Sequence, residues 1–377
     1  MARKTGEELE ALKKKYKISQ LWSWSRYNCF KNSIYEYFLK YILQIKEDRD
    51  DGIYGVSGNA CHVILENFYS KIIKYEDMLQ EYENALFTFN AGELKYDRSN
   101  EEKNNNIANK YEYCLRHFFQ NHEVINKKVE LEKFILIRIN GFLFQAYIDF
   151  IHKEDNCFVI TDWKTSSIYT GKKIDKEKGQ LVLYAEGLKQ LGVPLENIKI
   201  RWCFLKYVTV EIQQANGKST ERNIARNEIG ESLKSNAKMW LNKSKCYSED
   251  EINSYIDLLS MTNDIACLPE EIQSKYKVSD CYVYIPFTVE EIENLKLDII
   301  NTIVDISKKE AKYFKTKNDN IWWEEITDEK SYFFSNLSGY SANLHKPYAQ
   351  YLEKRKAHME SANSNEEDLS WMEGLLD

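Results

Sequence analysis

Two short apolar segments carry acidic and basic side chains whose types and spacing could support hydrolysis. QAYIDFI (145–151) and CFVITDWKTS (157–166) each predict a buried strand, and the polar residues between them predict the turn of a hairpin. Asp162 and Lys164 are two positions apart and leave the same face, while Asp149 lies late in the first strand. Two carboxylates and an ammonium that converge in this way suit Mg²⁺ or Mn²⁺ and the positioning of a water molecule. An ordinary surface hairpin is the alternative, but unpaired charges inside apolar strands are costly.

A helix is predicted directly after this hairpin, over residues 175–192. Its apolar residues recur at helical spacing, and Gly192 with Pro194 predicts its end. Gln180 and Tyr184 are four positions apart and therefore share one face. Tyr184 alone would more often be a core aromatic residue. A glutamine one turn before it makes a polar pair that could hold a phosphodiester backbone.

An earlier segment, SGNACHVILENFYSKI (57–72), also predicts a helix and contains His62. A lone histidine in a helix is usually a satisfied core or surface group. On its own pattern, His62 is therefore a weaker candidate for a metal ligand than the aspartates.

Taken in order along the chain, these residues resemble the motifs of the PD-(D/E)XK nuclease superfamily. More narrowly, they resemble its RecB-type branch, which includes the RecB and AddB nuclease domains and the CRISPR-associated RecB-like exonucleases. The resemblance covers about residues 19–210 and departs at Ala146, where the family often has glycine. The matching features are the WSWSRYNCFKNSIYEYFLKYI segment (22–42), His62, Asp149, the Asp162-x-Lys164 pair and the Gln180-x-x-x-Tyr184 pair.

The resemblance implies a role for each matching position. Asp149 and Asp162 would bind the divalent metal, with His62 as a further ligand and the main-chain carbonyl of Trp163 as another. Lys164 would orient or activate the attacking water. Asp149, Asp162 and Lys164 are thus the expected catalytic residues of a metal-dependent nuclease.

The resemblance also implies that Gln180 and Tyr184 contact DNA near the scissile phosphate. Either Glu130 or Glu132 occupies the position where some members place another acid, and the sequence leaves that choice open. The net charge of −7 does not indicate DNA binding, but basic residues cluster in sequence around the proposed site. We expect Lys172 and Lys173 to contact DNA. The basic residues are Lys164, Lys172, Lys173, Lys176, Lys178, Lys189, Arg201 and Lys206.

Many RecB-type members hold an iron–sulfur cluster with one cysteine near the start of the core and three near the carboxyl end. The corresponding positions here are Ser33, Ser335, Ser338 and Leu344. A serine hydroxyl is a poor replacement for the thiolate that such a cluster needs. The eight cysteines are scattered, without a C-x2-C pair, and are expected to be core residues of a protein from a reducing cytoplasm. We therefore expect Mg²⁺ or Mn²⁺ as the cofactor and no iron–sulfur cluster.

The resemblance implies an α/β fold, with a central mixed β-sheet flanked by helices in a restriction-endonuclease-like core. A helical insertion and a helical C-terminal region would be added to this core. Residues 199–224 predict further strands, with a hairpin turn at Asn216-Gly217. No run of eighteen apolar residues predicts a membrane span. The expected segments are an N-terminal helix (1–18), a nuclease core (19–225) with the insertion at about 73–128, a mainly helical region (226–356) and an acidic tail (357–377).

The resulting hypothesis is a metal-dependent DNA exonuclease acting on single-stranded DNA or free ends. Few prolines and abundant Lys, Asn, Ile and Tyr are typical of an AT-rich genome, such as that of a Gram-positive bacterium or its phage. The resemblance implies a role there in DNA replication, recombination or repair. The alternative is a DNA-binding or scaffolding subunit with weak catalysis. Trp322 and Trp323 could stack on bases or belong to the core. Residues 365–377 could dock a replication or recombination protein through Trp371, or pack on their own domain as a terminal helix.

Overall fold

The computed structural model describes residues 3–49, 52–97 and 100–367. The chain divides into two compact units. The first contains the described residues of 1–18, 53–138 and 145–292, and the second those of 19–52, 139–144 and 293–377. These units differ from the consecutive segments predicted from the sequence, because the second unit combines parts that are far apart along the chain. Residues 368–377, which include most of the expected docking peptide, lie outside the described residues.

Helices precede, interrupt and follow the strands along the described part of the chain. Short 3₁₀ turns and two π-helical turns, Phe38–Ile42 and Phe333–Leu337, supplement the α-helices. The α-helices are α1 (Gly6–Tyr16), α2 (Trp24–Asn32), α3 (Ile34–Tyr37), α4 (Ile53–Tyr69), α5 (Met78–Ala91), α6 (Glu101–Asn121), α7 (Lys172–Glu177), α8 (Gly179–Gln190), α9 (Ile229–Ser244), α10 (Glu249–Thr262), α11 (Glu270–Gln273), α12 (Val289–Thr316), α13 (Asp328–Tyr332) and α14 (Lys346–Glu367).

Six strands form one sheet within the described residues. Their order is β1-β2-β3-β4-β5, and β6 pairs with β4. The β3–β4 pair is parallel, whereas the β2–β3, β4–β5 and β4–β6 pairs are antiparallel. The predicted class, a mixed sheet flanked by helices, is therefore confirmed. The strands are β1 (Val129–Ile139), β2 (Phe142–Glu154), β3 (Cys157–Lys164), β4 (Ile198–Gln213), β5 (Ser219–Ala225) and β6 (Tyr276–Ile285).

The core of the first unit forms because α4, α5 and α6 bury their apolar faces against the sheet. Leu65, Leu115 and Phe118 are fully buried there, together with Phe150 of β2 and Cys203 of β4. On the other side, α8 approaches β1 so closely that a Cβ at Gly187 would lie 2.5 Å from Ile135 Cδ1. Glycine at this position therefore allows α8 to lie directly against the sheet.

Two segments differ from the sequence-based expectation. Residues 276–285 belong to the region predicted to be mainly helical, but they form β6 and extend the central sheet. The polar linker expected from residue 357 onwards is helical up to Glu367, as the continuation of α14. The helical insertion is present as α5 and α6.

The second unit has a core of aromatic residues. Trp322 is fully buried and stacks on Phe38 and Tyr37, with ring centroids 5.4 and 6.0 Å apart. Its ring therefore belongs to the core and is not accessible for stacking on bases. Within residues 3–49, 52–97 and 100–367, every helix is too short or too polar to span a membrane.

Candidate active site

The β2–β3 hairpin brings together the two aspartates that the sequence singled out. In the antiparallel register Phe150 pairs with Thr161. Asp149 and Asp162 therefore oppose each other one position further from the hairpin turn. Burial alternates along β2, so Ile148 and Phe150 face the core and Asp149 faces the opposite side of the sheet. Both carboxylates are therefore held by regular strand geometry on one face of the sheet.

Lys164 lies at the end of β3, and its ammonium pairs with Asp162. Lys164 Nζ lies 3.0 Å from Asp162 Oδ1 and 2.7 Å from Oδ2. Burial opposes the charged form of the lysine, but the Asp162 carboxylate overcomes this and raises the pKa of Lys164. The side chain is thus a cation at neutral pH. An ammonium so held can orient a water or neutralise developing negative charge.

The carboxylates form an electrostatically unsatisfied pair. Burial, and then the nearby charge of Asp162, raise the pKa of Asp149 well above its ordinary value. Asp162 is also buried, and no described residue donates a well-aligned hydrogen bond to its Oδ2, although Lys164 Nζ is near. Two close, buried carboxylates with spare acceptor capacity would be relieved by a divalent cation.

His62 of α4 reaches the same point from the other side. Its Nε2 lies 2.9 Å from the carbonyl oxygen of Trp163, and its Nδ1 lies 3.5 Å from Asp149 Oδ2. One turn earlier, a Cβ at Gly58 would lie 3.3 Å from Thr165 Oγ1, so glycine allows α4 close to the end of β3. Burial lowers the pKa of His62, which favours the neutral imidazole that metals bind.

Gln180 and Tyr184 form a pair on α8, as their spacing predicts. Gln180 Nε2 donates to the Tyr184 hydroxyl over 2.7 Å. Tyr184 is mostly buried, and burial followed by the charges of Asp149 and Asp162 raises its pKa. The tyrosine is therefore near the carboxylates and neutral, and the glutamine fixes its hydroxyl.

The basic residues around the site differ in their accessibility. Lys172 and Lys173 are exposed on α7. In contrast, Lys178 is paired with Asp175 and Glu291 at 2.9 and 2.6 Å, and Arg201 is buried beside Thr161 and Tyr284. The proposed patch is therefore smaller than the sequence suggested, because Lys178 and Arg201 support the fold.

The structure distinguishes the two glutamates that the sequence left open. Glu130 is exposed and pairs with Lys133 at 2.5 Å. The Glu132 side chain is only 10% exposed, and its charge contributes, after burial, to raising the pKa of Asp149 and Tyr184. If side chains alternated regularly along β1, Glu130 and Glu132 would lie on the same face of the sheet. Glu132, however, has a φ of 44°, an irregularity inside β1 that no sequence pattern signals.

The donor set fits a hard divalent cation. Asp149, Asp162 and the Trp163 carbonyl supply oxygen, and His62 supplies an imidazole nitrogen. In the part of the chain that the structure describes, no three His, Cys, Asp or Glu side chains stand in ligand geometry. His62 Nε2 is hydrogen-bonded to the Trp163 carbonyl, and Nδ1 faces the Asp149 carboxylate.

Comparison with known proteins agrees with this geometry. A scan against protein-family models matches residues 21–251, more than half of the chain, to the PD-(D/E)XK nuclease superfamily. A search of curated proteins found no significant match. The matched range includes the β2–β3 hairpin, α4 and α8, which carry the residues described above. The chain therefore belongs to the PD-(D/E)XK nuclease superfamily, whose members use divalent metals, commonly Mg²⁺.

Proposed function

We propose that this protein is a metal-dependent DNA exonuclease of the RecB-type branch, acting in bacterial or phage DNA replication, recombination or repair. The observation that carries the proposal is the convergence of Asp149, Asp162 and Lys164 with His62 at one end of the hairpin. The matched Gln180–Tyr184 pair on the neighbouring helix supports the narrower assignment.

Each side chain has a role that follows from its position. Asp149, Asp162, His62 and the Trp163 carbonyl would hold Mg²⁺ or Mn²⁺. When bound, such an ion supplies an activated water and neutralises charge on the scissile phosphate. Lys164, held by Asp162, orients the water for in-line attack.

The same site has groups that can hold the DNA. Tyr184 and Gln180 offer a hydroxyl and an amide beside the reacting phosphate. Lys172 and Lys173 are exposed and add positive charge along the incoming strand. Gln-x-x-x-Tyr pairs and an upstream histidine occur mainly in end-processing members of the branch, so we favour exonuclease over endonuclease.

Removing Asp162 tests the assignment directly. Asp162→Ala should reduce Mg²⁺- or Mn²⁺-dependent degradation of end-labelled DNA by more than about a hundredfold. Mutation of residues that only hydrogen-bond to a metal ligand already costs up to that factor. Asp257→Ala is the matched control, because it removes an exposed carboxylate of α10 outside the proposed site and should retain most activity. Full degradation by the Asp162→Ala variant would contradict the proposal.

The substrate form separates exonuclease from endonuclease and from a non-catalytic binding subunit. An exonuclease degrades linear single-stranded or duplex DNA and leaves circular DNA of the same sequence intact. Cleavage of circles would indicate an endonuclease. Binding of DNA without cleavage, in Mg²⁺ and in Mn²⁺, would favour the scaffolding alternative, which the altered cysteine positions motivate.

We further propose that the protein holds no iron–sulfur cluster, because a polar network fills two of the four expected ligand positions. Ser33 is buried; its hydroxyl donates to Glu324 and lies 3.1 Å from His345 Nε2. His345 Nδ1 accepts from the main-chain N–H of Tyr348 at 3.2 Å, so Nε2 carries the proton. Ser338 is buried too and donates to Glu36 over 2.8 Å.

Purified protein should therefore be colourless and free of stoichiometric iron and sulfide. Hydroxyls, carboxylates and one imidazole cannot replace the four thiolates that hold such a cluster. Visible absorbance of the aerobically and anaerobically purified protein, together with iron and sulfide analysis, checks this. A brown protein with stoichiometric iron would mean that cysteines elsewhere in the chain act as ligands.

A further inference from the structure

An arginine far from the site in sequence lies at its edge in the structure. Arg3 Nε donates to Glu132 Oε2 over 2.9 Å, and its Nη2 lies 3.5 Å from Oε1. The hydrogen bond to Glu132 raises the pKa of Arg3, and burial lowers it. The charges of Glu132 and Asp149 raise the pKa further. The guanidinium is thus within electrostatic reach of a proposed metal ligand.

The segment that carries Arg3 is fastened to the same face of the sheet. We call residues 3–18 the arm. The main-chain N–H of Lys4 donates to the Tyr147 hydroxyl over 2.9 Å, and the Lys4 ammonium lies 5.1 Å from the centre of the Phe134 ring. Tyr147 and Asp149 are two positions apart on β2, so they share a face.

Further contacts fix the arm along its length. Thr5 caps α1 through a capping box with Glu8, and the Arg138 guanidinium lies 5.5 Å from the Tyr16 ring. Arg3 is therefore presented by an ordered segment with contacts at both ends of its helix.

Glu132, the partner of Arg3, is held at a cost in backbone energy. Its φ of 44° lies in the left-handed region, which is unfavourable for a non-glycine residue. Such strain persists where the surrounding structure enforces it, and it concentrates at functional sites. Here the irregularity directs a mostly buried carboxylate towards the guanidinium of Arg3.

We propose that Arg3 binds a backbone phosphate of the DNA strand next to the scissile one. The Arg3 side chain is 72% exposed, whereas Glu132 is 10% exposed, so the carboxylate holds one edge of the guanidinium and leaves the other open to solvent. A guanidinium has five N–H donors in a fixed fork that matches a phosphate, and Glu132 uses two.

A purely structural ion pair is the competing explanation. Because the Arg3 side chain is 72% exposed, solvent screens the pair and its contribution to stability is small, which does not account for the strain at Glu132. Orientation of an exposed cation beside the catalytic carboxylates does account for it. This inference rests on the proposed function, since it assumes that the site receives DNA.

Salt-dependent DNA binding tests the assignment. Binding of labelled single-stranded DNA to the full chain would be measured by fluorescence anisotropy in Ca²⁺ at several salt concentrations. Arg3→Ala should weaken binding about three- to tenfold and reduce the slope of log K against log salt by about 0.7, the value for one lost phosphate contact. Arg3→Lys should restore part of both.

Lys13→Ala is the matched control, since it removes a charge of the same arm whose ammonium pairs with Glu10 at 2.6 Å. Its salt slope should equal that of the wild type. An Arg3→Ala variant with a lower melting temperature and an unchanged slope would show a structural role and overturn the inference. A wild type that cleaves no DNA would contradict the proposed function, while a slope difference in Ca²⁺ would still support the Arg3 contact.

Discussion

Replacing Asp149 by asparagine should raise the melting temperature of the metal-free protein and abolish its cleavage of DNA. Burial, and then the adjacent Asp162 charge, raise the pKa of Asp149, so its ionised form is unfavourable in the folded state. Asparagine has nearly the same shape and no charge. We expect a gain of about 1–3 kcal/mol near pH 8, the typical cost of a buried polar group without full compensation.

The pH dependence of this gain follows from the direction of the shift. Because the folded-state pKa lies above the unfolded-state value of about 4, the ionisation penalty is absent below pH 4. The penalty grows as the pH rises towards the folded-state pKa and is constant above it. The difference in melting temperature between the Asp149→Asn variant and the wild type should therefore vanish near pH 4 and be largest at alkaline pH.

Asp162→Asn is the matched control for this experiment. It also removes a proposed ligand, but Asp162 is paired with Lys164 at 2.7 Å, so its loss leaves a partly buried ammonium without its partner. This variant should melt below the wild type. Mg²⁺ should stabilise the wild type and neither variant. A lower melting temperature for Asp149→Asn without metal would show that His62 and Lys164 already compensate the charge.

The hairpin and its charged residues could be predicted because the signal is local. Apolar residues alternate or cluster over a few positions on either side of a polar turn, and Asp162 and Lys164 belong to the same strand. Helical spacing likewise predicted the Gln180–Tyr184 pair on α8. These features depend on contacts within a few residues, which periodicity describes well.

Other parts of the fold and site depend on distant contacts that periodicity does not describe. Residues 276–285 become a strand because they pair with β4, more than sixty residues earlier. The positive φ of Glu132, and the much lower exposure of Glu132 than of Glu130, likewise have no signal in the sequence. Arg3 joins the site from 129 positions away.

Replacing Asp280 of β6, the strand that the sequence did not predict, should strongly destabilise the fold. Its Oδ2 lies 2.6 Å from His122 Nδ1, and its Oδ1 lies 2.5 Å from Arg226 Nη2, with all three side chains about 1% exposed. Breaking a buried pair by removing one partner costs about 3–5 kcal/mol. Asp280→Ala should therefore lower the free energy of unfolding by that amount, as measured by denaturant titration. Asp257→Ala, on the exposed side of α10, should change it little.

The loss of folding stability at acid pH should depend on the Asp280 carboxylate. Burial opposes its ionisation, but the hydrogen bond and charge of His122 and the charge of Arg226 lower the pKa of Asp280 below its ordinary value. A lowered folded-state pKa gives stability that is complete above about pH 4 and is lost as the pH falls towards that folded-state value. Asp280→Asn should therefore lose less stability than the wild type on acidification. Parallel acid titrations of the two proteins would contradict this.

This network also has a structural path to the proposed active site. The Tyr69 hydroxyl lies 2.8 Å from His122 Nε2, and the Tyr69 ring stacks on that of Trp163 with centroids 6.4 Å apart. Trp163 carries the carbonyl that faces His62. Asp280→Asn should thus shift the metal concentration needed for half-maximal cleavage at temperatures where the variant stays folded, because the carbonyl loses part of its support. An unchanged metal dependence would show that the network stabilises the fold without positioning Trp163.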